Sequence, residues 1–210
     1  MIIRINKLLF CILIIFSSAA FGQKRINKTL DTVGIRGIFI NSDTVFKAEI
    51  KTAPTDKIII TSGIEGETFE TFLINTEVKN NLLNISSGRS PGYEAIDDKL
   101  AAHKVMSVVL TITVPEGFEL WVKSALASVW AEGKFDYINF NLSSGDCRLF
   151  DFVGSGVVNS ETGNILVKTQ NCRINAHTRN GTMVADNVDA GQYSLTLTSI
   201  DGNIAVVQSK

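Results

Sequence analysis

The sequence predicts an all-β fold, a parallel β-solenoid with repeats of about 18 residues. The first observation behind this prediction is that Gly145, Gly163 and Gly181 recur at a spacing of 18 residues, with Ala127 one period earlier. The second is that a short apolar strand follows each of these residues, and again follows Gly202. Self-similarity at a fixed short period is typical of stacked repeats, in which neighbouring units bury each other's apolar faces.

Alternation along these strands predicts two interior columns of side chains. Side chains two residues apart on a strand share a face, so the second and fourth positions after each corner should point inward. We expect the corner glycines to provide backbone with positive φ, which glycine adopts without a Cβ clash. The predicted columns are Val129, Cys147, Ile165, Met183 and Ile204, and Ala131, Leu149, Val167, Ala185 and Val206.

The repeat units resemble those of a known bacterial family. Segments 161–165 and 200–204 are similar to the S-x-G-x-I-x-V units of the family known as "putative adhesins", and Val114 to Leu120 resembles its V-P-x-G-x-x-L step. The resemblance covers about residues 34–210, with Ala127 in place of the usual first glycine. It implies a parallel β-helix in an exported envelope protein, and it implies no catalytic or binding residues.

Residues 1–22 are predicted to be a cleaved secretory signal peptide. Arg4 and Lys7 precede an apolar run over 8–16, and small residues at Ala20 and Gly22 provide the cleavage site. This run is too short to span a bilayer comfortably, so we expect no stable membrane insertion after cleavage. The protein is therefore expected in the periplasm, on the cell surface or outside the cell.

The remaining residues 23–210 are predicted to form a single domain, with an irregular β-rich section over 23–123 and regular repeats over 124–210. Residues 23–30 are interpreted as a polar lead-in, and 94–103 as the one short helix. Residues 71–79 and 82–86 are predicted to form a hairpin around an Asn80-Asn81 turn. The other strands are expected over 34–40, 45–51, 57–61, 105–114 and 118–123.

Charge and metal-ligand patterns exclude several classes of function. Without Arg4 and Lys7 the chain has 18 basic and 21 acidic residues, a net charge of about −3, which gives no basic footprint for nucleic acid. Cys147 and Cys172 do not fall on stacked positions, so we expect two free buried thiols and no disulfide. No Cys or His pair has metal-ligand spacing, and we predict no cofactor.

No catalytic motif is found in the sequence. Some parallel β-helix proteins are polysaccharide lyases or hydrolases, which use clusters of Asp, Arg or Lys on one outer face. Asp146, Arg148, Asp151 and Arg173 are the nearest candidates, but they do not recur in successive repeats to build a cluster. The prediction is that the protein is not an enzyme.

Two tryptophans are the candidate interaction residues. Alternation along their strands directs Trp121 and Trp130 outward, and the column of Trp130 continues as Arg148, Leu166, Val184 and Ala205. One interpretation is that the N-terminal section packs over Trp130. The other is that Trp121 and Trp130 form a surface for an envelope protein or a glycan, since exposed apolar patches mark interaction sites.

The predicted function is a non-catalytic, adhesin-like interaction at the bacterial envelope. The alternatives are a periplasmic structural or sensory partner of another envelope protein and, less favoured, a carbohydrate-active β-helix enzyme. The segment Ile204–Lys210 is expected to form an uncapped last coil, which would leave an edge for self-association. Thr32 and Thr44 follow aspartates in Asp-Thr-Val segments that resemble O-glycosylation acceptors of some bacteria.

Overall fold

The computed structural model describes residues 24–66, 71–90, 107–186 and 191–209. Within these ranges the regular elements are strands, and no helix there is long and apolar enough to cross a membrane. The predicted signal peptide and the predicted helix at 94–103 lie outside the described residues. The strands are β1 (Lys24–Asp31), β2 (Gly37–Asn41), β3 (Val45–Ala53), β4 (Lys57–Glu65), β5 (Phe72–Lys79), β6 (Leu82–Arg89), β7 (Ser107–Pro115), β8 (Phe118–Ser124), β9 (Ser128–Leu142), β10 (Cys147–Ser160), β11 (Ile165–Thr169), β12 (Cys172–Thr178), β13 (Met183–Ala185), β14 (Tyr193–Ser199) and β15 (Ile204–Gln208).

The strands form two hydrogen-bonded series that share β9 and β10. The first series runs β1-β4-β7-β3-β9-β10-β11-β15-β13, and the second runs β5-β6-β2-β8-β9-β10-β14-β12. β9 and β10 pass from one series to the other around Gly133 (φ 105°) and Gly154 (φ 152°), where other residues would be strained. The inward side chains of both series belong to one hydrophobic core.

The prediction of a parallel β-solenoid is wrong, because the sheet is mixed. β4 pairs antiparallel with both β1 and β7, and β5 pairs antiparallel with β6. The units also do not follow one another in chain order, since β15 lies between β11 and β13, and β14 lies between β10 and β12. A repeat period identifies equivalent positions in the sequence, but it does not specify the neighbour or the direction that each strand adopts. The proposed boundary between residues 123 and 124 stays a prediction.

Residues 18 apart are nevertheless partners in the middle of the first series. Cys147 is in register with Val129 on one side and Ile165 on the other, and all three side chains are buried. Further along the same sheet, Ile204 is in register with Ile165, and Met183 is in register with Ile204 on the last strand of the series. Met183 is 54% exposed, so its predicted interior position is wrong, because β13 is an edge strand among the described residues.

The corner glycines are explained by close packing and not by positive φ. A Cβ on Gly145 would lie 1.9 Å from the carbonyl oxygen of Ala127, and a Cβ on Gly163 would lie 2.0 Å from that of Gly145. Neither glycine is among the residues with positive φ. Each corner therefore stacks directly on the backbone of its neighbour, and glycine is required because no side chain fits between them.

The predicted polar lead-in at residues 23–30 is a strand instead. β1 pairs with β4 along its whole length, from Lys24 opposite Ile64 to Asp31 opposite Lys57. The half-buried face of β1 includes Lys28, whose Nζ donates a hydrogen bond to the carbonyl oxygen of Ile74 at 2.9 Å. Lysines on the inward-facing positions concealed this amphipathic pattern, because their stems pack on apolar surface while their ammonium groups reach polar partners.

The prediction of a hairpin is confirmed. β5 and β6 pair antiparallel around Asn80 (φ 53°) and Asn81 (φ 61°).

The last strand of the chain is not the exposed sheet edge that the sequence predicted. β15, which contains most of the predicted last coil, pairs on both sides, with β11 and with β13. In the described part of the chain, β12 and β13 are the edge at this end. Self-association through a terminal edge stays a prediction.

The two cysteines are free and buried, which confirms the prediction made for them. Burial raises the pKa of the Cys172 thiol to about 11 and that of Cys147 still further. We expect no reaction of the native mature chain with Ellman's reagent at pH 8, and reaction of both thiols after unfolding in guanidinium. Because unfolded thiols ionise near pH 8.5, stability should fall as the pH rises from there towards 11. Rapid labelling of the native protein would contradict this expectation.

Candidate functional site

The two predicted surface tryptophans lie on outward faces of different series. Trp130 is on the first-series part of β9, in register with Glu49 on β3 and Arg148 on β10. Trp121 is on β8 of the second series, in register with Phe39 on β2 and Asn139 on β9. The structure therefore does not bring the two tryptophans into one patch, and each has to be considered with its own neighbours.

The ring of Trp130 is covered by side chains of the same molecule. The Nζ atom of Lys47 lies 3.4 Å from the ring centroid, and the guanidinium carbon of Arg148 lies 5.1 Å from it. Phe150 contacts the ring edge-on, with the centroids 6.3 Å apart. Lys47 also forms an ion pair of 2.5 Å with Glu49. Because Lys47 belongs to β3, the N-terminal section does cover Trp130, by strand pairing and a cation–π contact.

A shallow groove of about 270 Å³ lies beside Trp130. Its charged lining residues are Glu49, Lys51 and Glu132, which carry both signs. Glu49 is paired with Lys47, and Lys51 is in register with Glu132 on the neighbouring strand, so charges of opposite sign lie side by side as on an ordinary solvated surface. We therefore interpret Trp130 as a packing residue of the first series.

Trp121 lies next to two other aromatic residues of the second series, Phe39 and Tyr137. We call Phe39, Trp121 and Tyr137 the aromatic cluster; all three are half-buried on the outward face of the second series. The rings of Trp121 and Tyr137 have centroids 5.7 Å apart and an interplanar angle of 47°. The indole N–H of Trp121 donates to a carboxylate oxygen of Glu119 at 3.3 Å, so the orientation of the indole is fixed.

A row of asparagine side chains begins next to Trp121. The side-chain amide of Asn141 donates to the oxygen of Asn139 at 2.8 Å, and the amide of Asn159 donates to the oxygen of Asn141 at 3.0 Å. We call these three residues the amide row. Asn159 is the penultimate residue of β10, so the row ends close to the turn that follows this strand.

The amide row borders a second and larger groove, of about 590 Å³, which we call the polar groove. Its polar lining includes Asn41, Asn141, Asn159 and Thr198, together with Asp43, Lys123 and Glu161. Lys123 follows Trp121 by two residues on β8 and shares its face, so the aromatic cluster and the polar groove are adjacent. Sequence reasoning missed Phe39, Tyr137 and this groove, because they depend on strand pairing.

The four candidate catalytic residues do not form a cluster. Arg148 contacts Asp146 at 3.7 Å, while Asp151 accepts a hydrogen bond from the hydroxyl of Ser209 at 2.9 Å. Arg173 is on β12 of the second series, in register with Ser194. Over the described ranges no group of three Asp, Glu, His or Cys residues could hold a metal ion. The absence of catalysis stays a prediction.

Comparisons with known proteins show similarity of fold. No protein-family model matches the sequence, and no curated protein matches it. A solved structure described as a putative cell adhesion protein from Clostridium sporogenes has a TM-score of 0.58 and 14% identity, over 90% of this chain and 100% of that one. Two structures described as putative adhesins, from Bacteroides fragilis and Parabacteroides distasonis, have TM-scores of 0.37 and 0.30, both with 13% identity over 88% of this chain and 97% of theirs. The chain therefore shares its overall fold with the Clostridium protein.

Proposed function

We propose that this chain is an exported, adhesin-like protein of the bacterial envelope that binds a partner and carries out no catalysis. The observation that carries the proposal is the aromatic cluster, three half-buried aromatic residues in which Trp121 contacts Tyr137 and is in register with Phe39. Aromatic side chains provide large contact area at a low cost in conformational entropy, so they are enriched at binding surfaces.

Two further lines support the proposal. The predicted signal peptide at 1–22 accounts for export. The protein of Clostridium sporogenes with a similar fold is described as a putative cell adhesion protein, and an extended outer surface of paired strands suits that role. The candidate catalytic residues are dispersed, which favours binding over a carbohydrate-active enzyme.

The location is tested by protease treatment of intact cells that express the full chain with an epitope tag. We expect loss of the tagged protein from intact cells while a periplasmic control protein survives. Survival in intact cells with loss after lysis would contradict the adhesin-like role and favour a periplasmic scaffold. Recovery of the uncleaved chain in the cytoplasm would overturn export altogether.

Trp130 provides a test that separates stability from binding. Trp130→Ala should lower the free energy of unfolding by roughly 1–3 kcal/mol, because packing on Phe150 and the cation–π contact with Lys47 are lost. Retention of the mature chain on envelope fragments of the source bacterium should change little. Urea unfolding and co-sedimentation measure the two effects, and a variant of normal stability that no longer sediments with the fragments would contradict this assignment.

A further inference from the structure

We propose that the aromatic cluster and the polar groove form one binding site for a neutral, extended glycan chain. This inference rests on the proposed binding function and specifies the chemistry of its ligand.

Trp121 provides a platform on which the apolar face of a sugar ring packs. Its indole is held from one side by the hydrogen bond to Glu119, which itself accepts from Arg36 at 3.1 Å, and from another side by Tyr137. A ring that is already oriented loses little freedom when a ligand packs on it. The Trp130 ring cannot provide such a platform, because the Nζ atom of Lys47 already lies 3.4 Å from its centroid.

The groups beside Trp121 match the hydroxyl groups of a sugar. Each asparagine side chain has two N–H donors and a carbonyl acceptor, and the hydrogen bonds within the amide row use one donor of Asn141 and one of Asn159. Thr198, in register with Asn159, adds a hydroxyl that both donates and accepts. Sugar hydroxyls also donate and accept, so neutral amides and hydroxyls recognise them without requiring a charge.

The charge of the polar groove favours a neutral ligand over an anionic one. Its ionisable lining residues are Asp43, Glu161 and Lys123, two carboxylates and one ammonium. Phosphate groups, nucleic acid and anionic lipid headgroups are recognised by clusters of Lys and Arg, and the lining of this groove has no such cluster.

The geometry favours a chain of several sugar units over a single sugar. Lys123, Asn141, Asn159 and Thr198 occupy the same row on β8, β9, β10 and β14, which are successive neighbours. At an interstrand spacing of about 4.8 Å the row extends for roughly 14 Å across the sheet. An extended ligand that crosses the strands would contact each member of the row in turn.

Native gel electrophoresis of the mature chain in gels that contain polysaccharide tests this site. The probes are the neutral polymers mannan, dextran, xyloglucan and laminarin and, as the acidic polymer, polygalacturonate. We expect at least one neutral polymer to retard the wild-type chain, and Trp121→Ala to weaken that binding about tenfold, the effect of losing one ring contact. Asn159→Ala should also weaken it. Phe46→Ala, a change at a 61% exposed aromatic residue of β3, is the matched control and should leave retardation unchanged.

Binding should be equal at roughly 0.05 M and 0.5 M salt, since no ion pairs with the ligand are involved. Circular dichroism and thermal unfolding establish that each variant is folded before its retardation is compared. The proposal is overturned if no neutral polymer retards the wild type, if Trp121→Ala keeps full retardation, or if polygalacturonate alone binds and salt abolishes it. If the wild type still sediments with envelope fragments in any of these cases, the proposed function stands and only the assignment of a neutral glycan to this site is wrong.

Discussion

Gly163→Ala is expected to lower the free energy of unfolding by about 3 kcal/mol or more, or to prevent folding. The new Cβ would lie 2.0 Å from the carbonyl oxygen of Gly145 and 2.6 Å from its carbonyl carbon. Both atoms belong to the backbone of a neighbouring corner, so no side chain can rotate to make room. On the other side, the position of a Cβ on Gly202 lies 2.0 Å from the oxygen of Gly163, so a shift of this corner disturbs a second contact.

Urea unfolding followed by tryptophan fluorescence measures this loss, with Gly88→Ala as the control. Gly88 lies within β6, and a Cβ there would meet the side-chain nitrogen of Asn75 at 3.6 Å, an ordinary contact. We expect Gly88→Ala to change stability by less than about 0.5 kcal/mol. Equal stability of the two variants would show that the corner stacks tolerate a methyl group, contrary to the close packing described above.

Phe152→Ala is expected to lower the free energy of unfolding by about 3–5 kcal/mol. Phe152 is fully buried, and its ring stacks on that of Phe135 with the centroids 6.0 Å apart and an interplanar angle of 15°. The pair lies where β9 and β10 pass from the first series to the second. Loss of the ring removes buried apolar surface and leaves a cavity at this bend, and both effects lower stability.

Phe46→Ala is the matched control for the core substitution, since the same ring is removed from a residue that is 61% exposed. We expect its stability to stay within about 0.5 kcal/mol of the wild type. The midpoints of urea unfolding compare the stability of Phe152→Ala and Phe46→Ala with that of the wild type. A loss for Phe152→Ala no larger than that for Phe46→Ala would mean that the bend does not depend on the aromatic stack.

The local elements of this fold were predictable, and their pairing was not. Alternation and turn residues identified the hairpin at Asn80-Asn81 and strands close to β3 and β7. The same patterns contain no information on the pairing of β3 with β9. They also do not predict the contact between the preceding turns, in which Ala125 donates its backbone N–H to a carboxylate oxygen of Asp43, 82 residues away. The step of 21 residues from Gly181 to Gly202 indicates an irregularity, but the sequence does not show that β15 lies between β11 and β13.

In the candidate site, too, the local features were predictable from the sequence and the contacts between strands were not. Alternation alone placed Trp121 on an outward face, because that property is local to β8. Its contact with Tyr137 depends on the register between β8 and β9, which shifts after Phe118. The amide row likewise depends on strand pairing, because the hydrogen bond from Asn159 to Asn141 joins neighbouring strands β10 and β9.

The position of the last two strands has a consequence for how the protein is made. Residues 172–185 are synthesised before 193–208, yet β14 and β15 lie between them and the rest of the sheet. β12 and β13 have no native partner among the described strands until residues 193–208 have been synthesised. Residues 172–208 therefore complete their strand pairing together, after β14 and β15 have been made. This part of the fold cannot form strand by strand as the chain emerges from the ribosome.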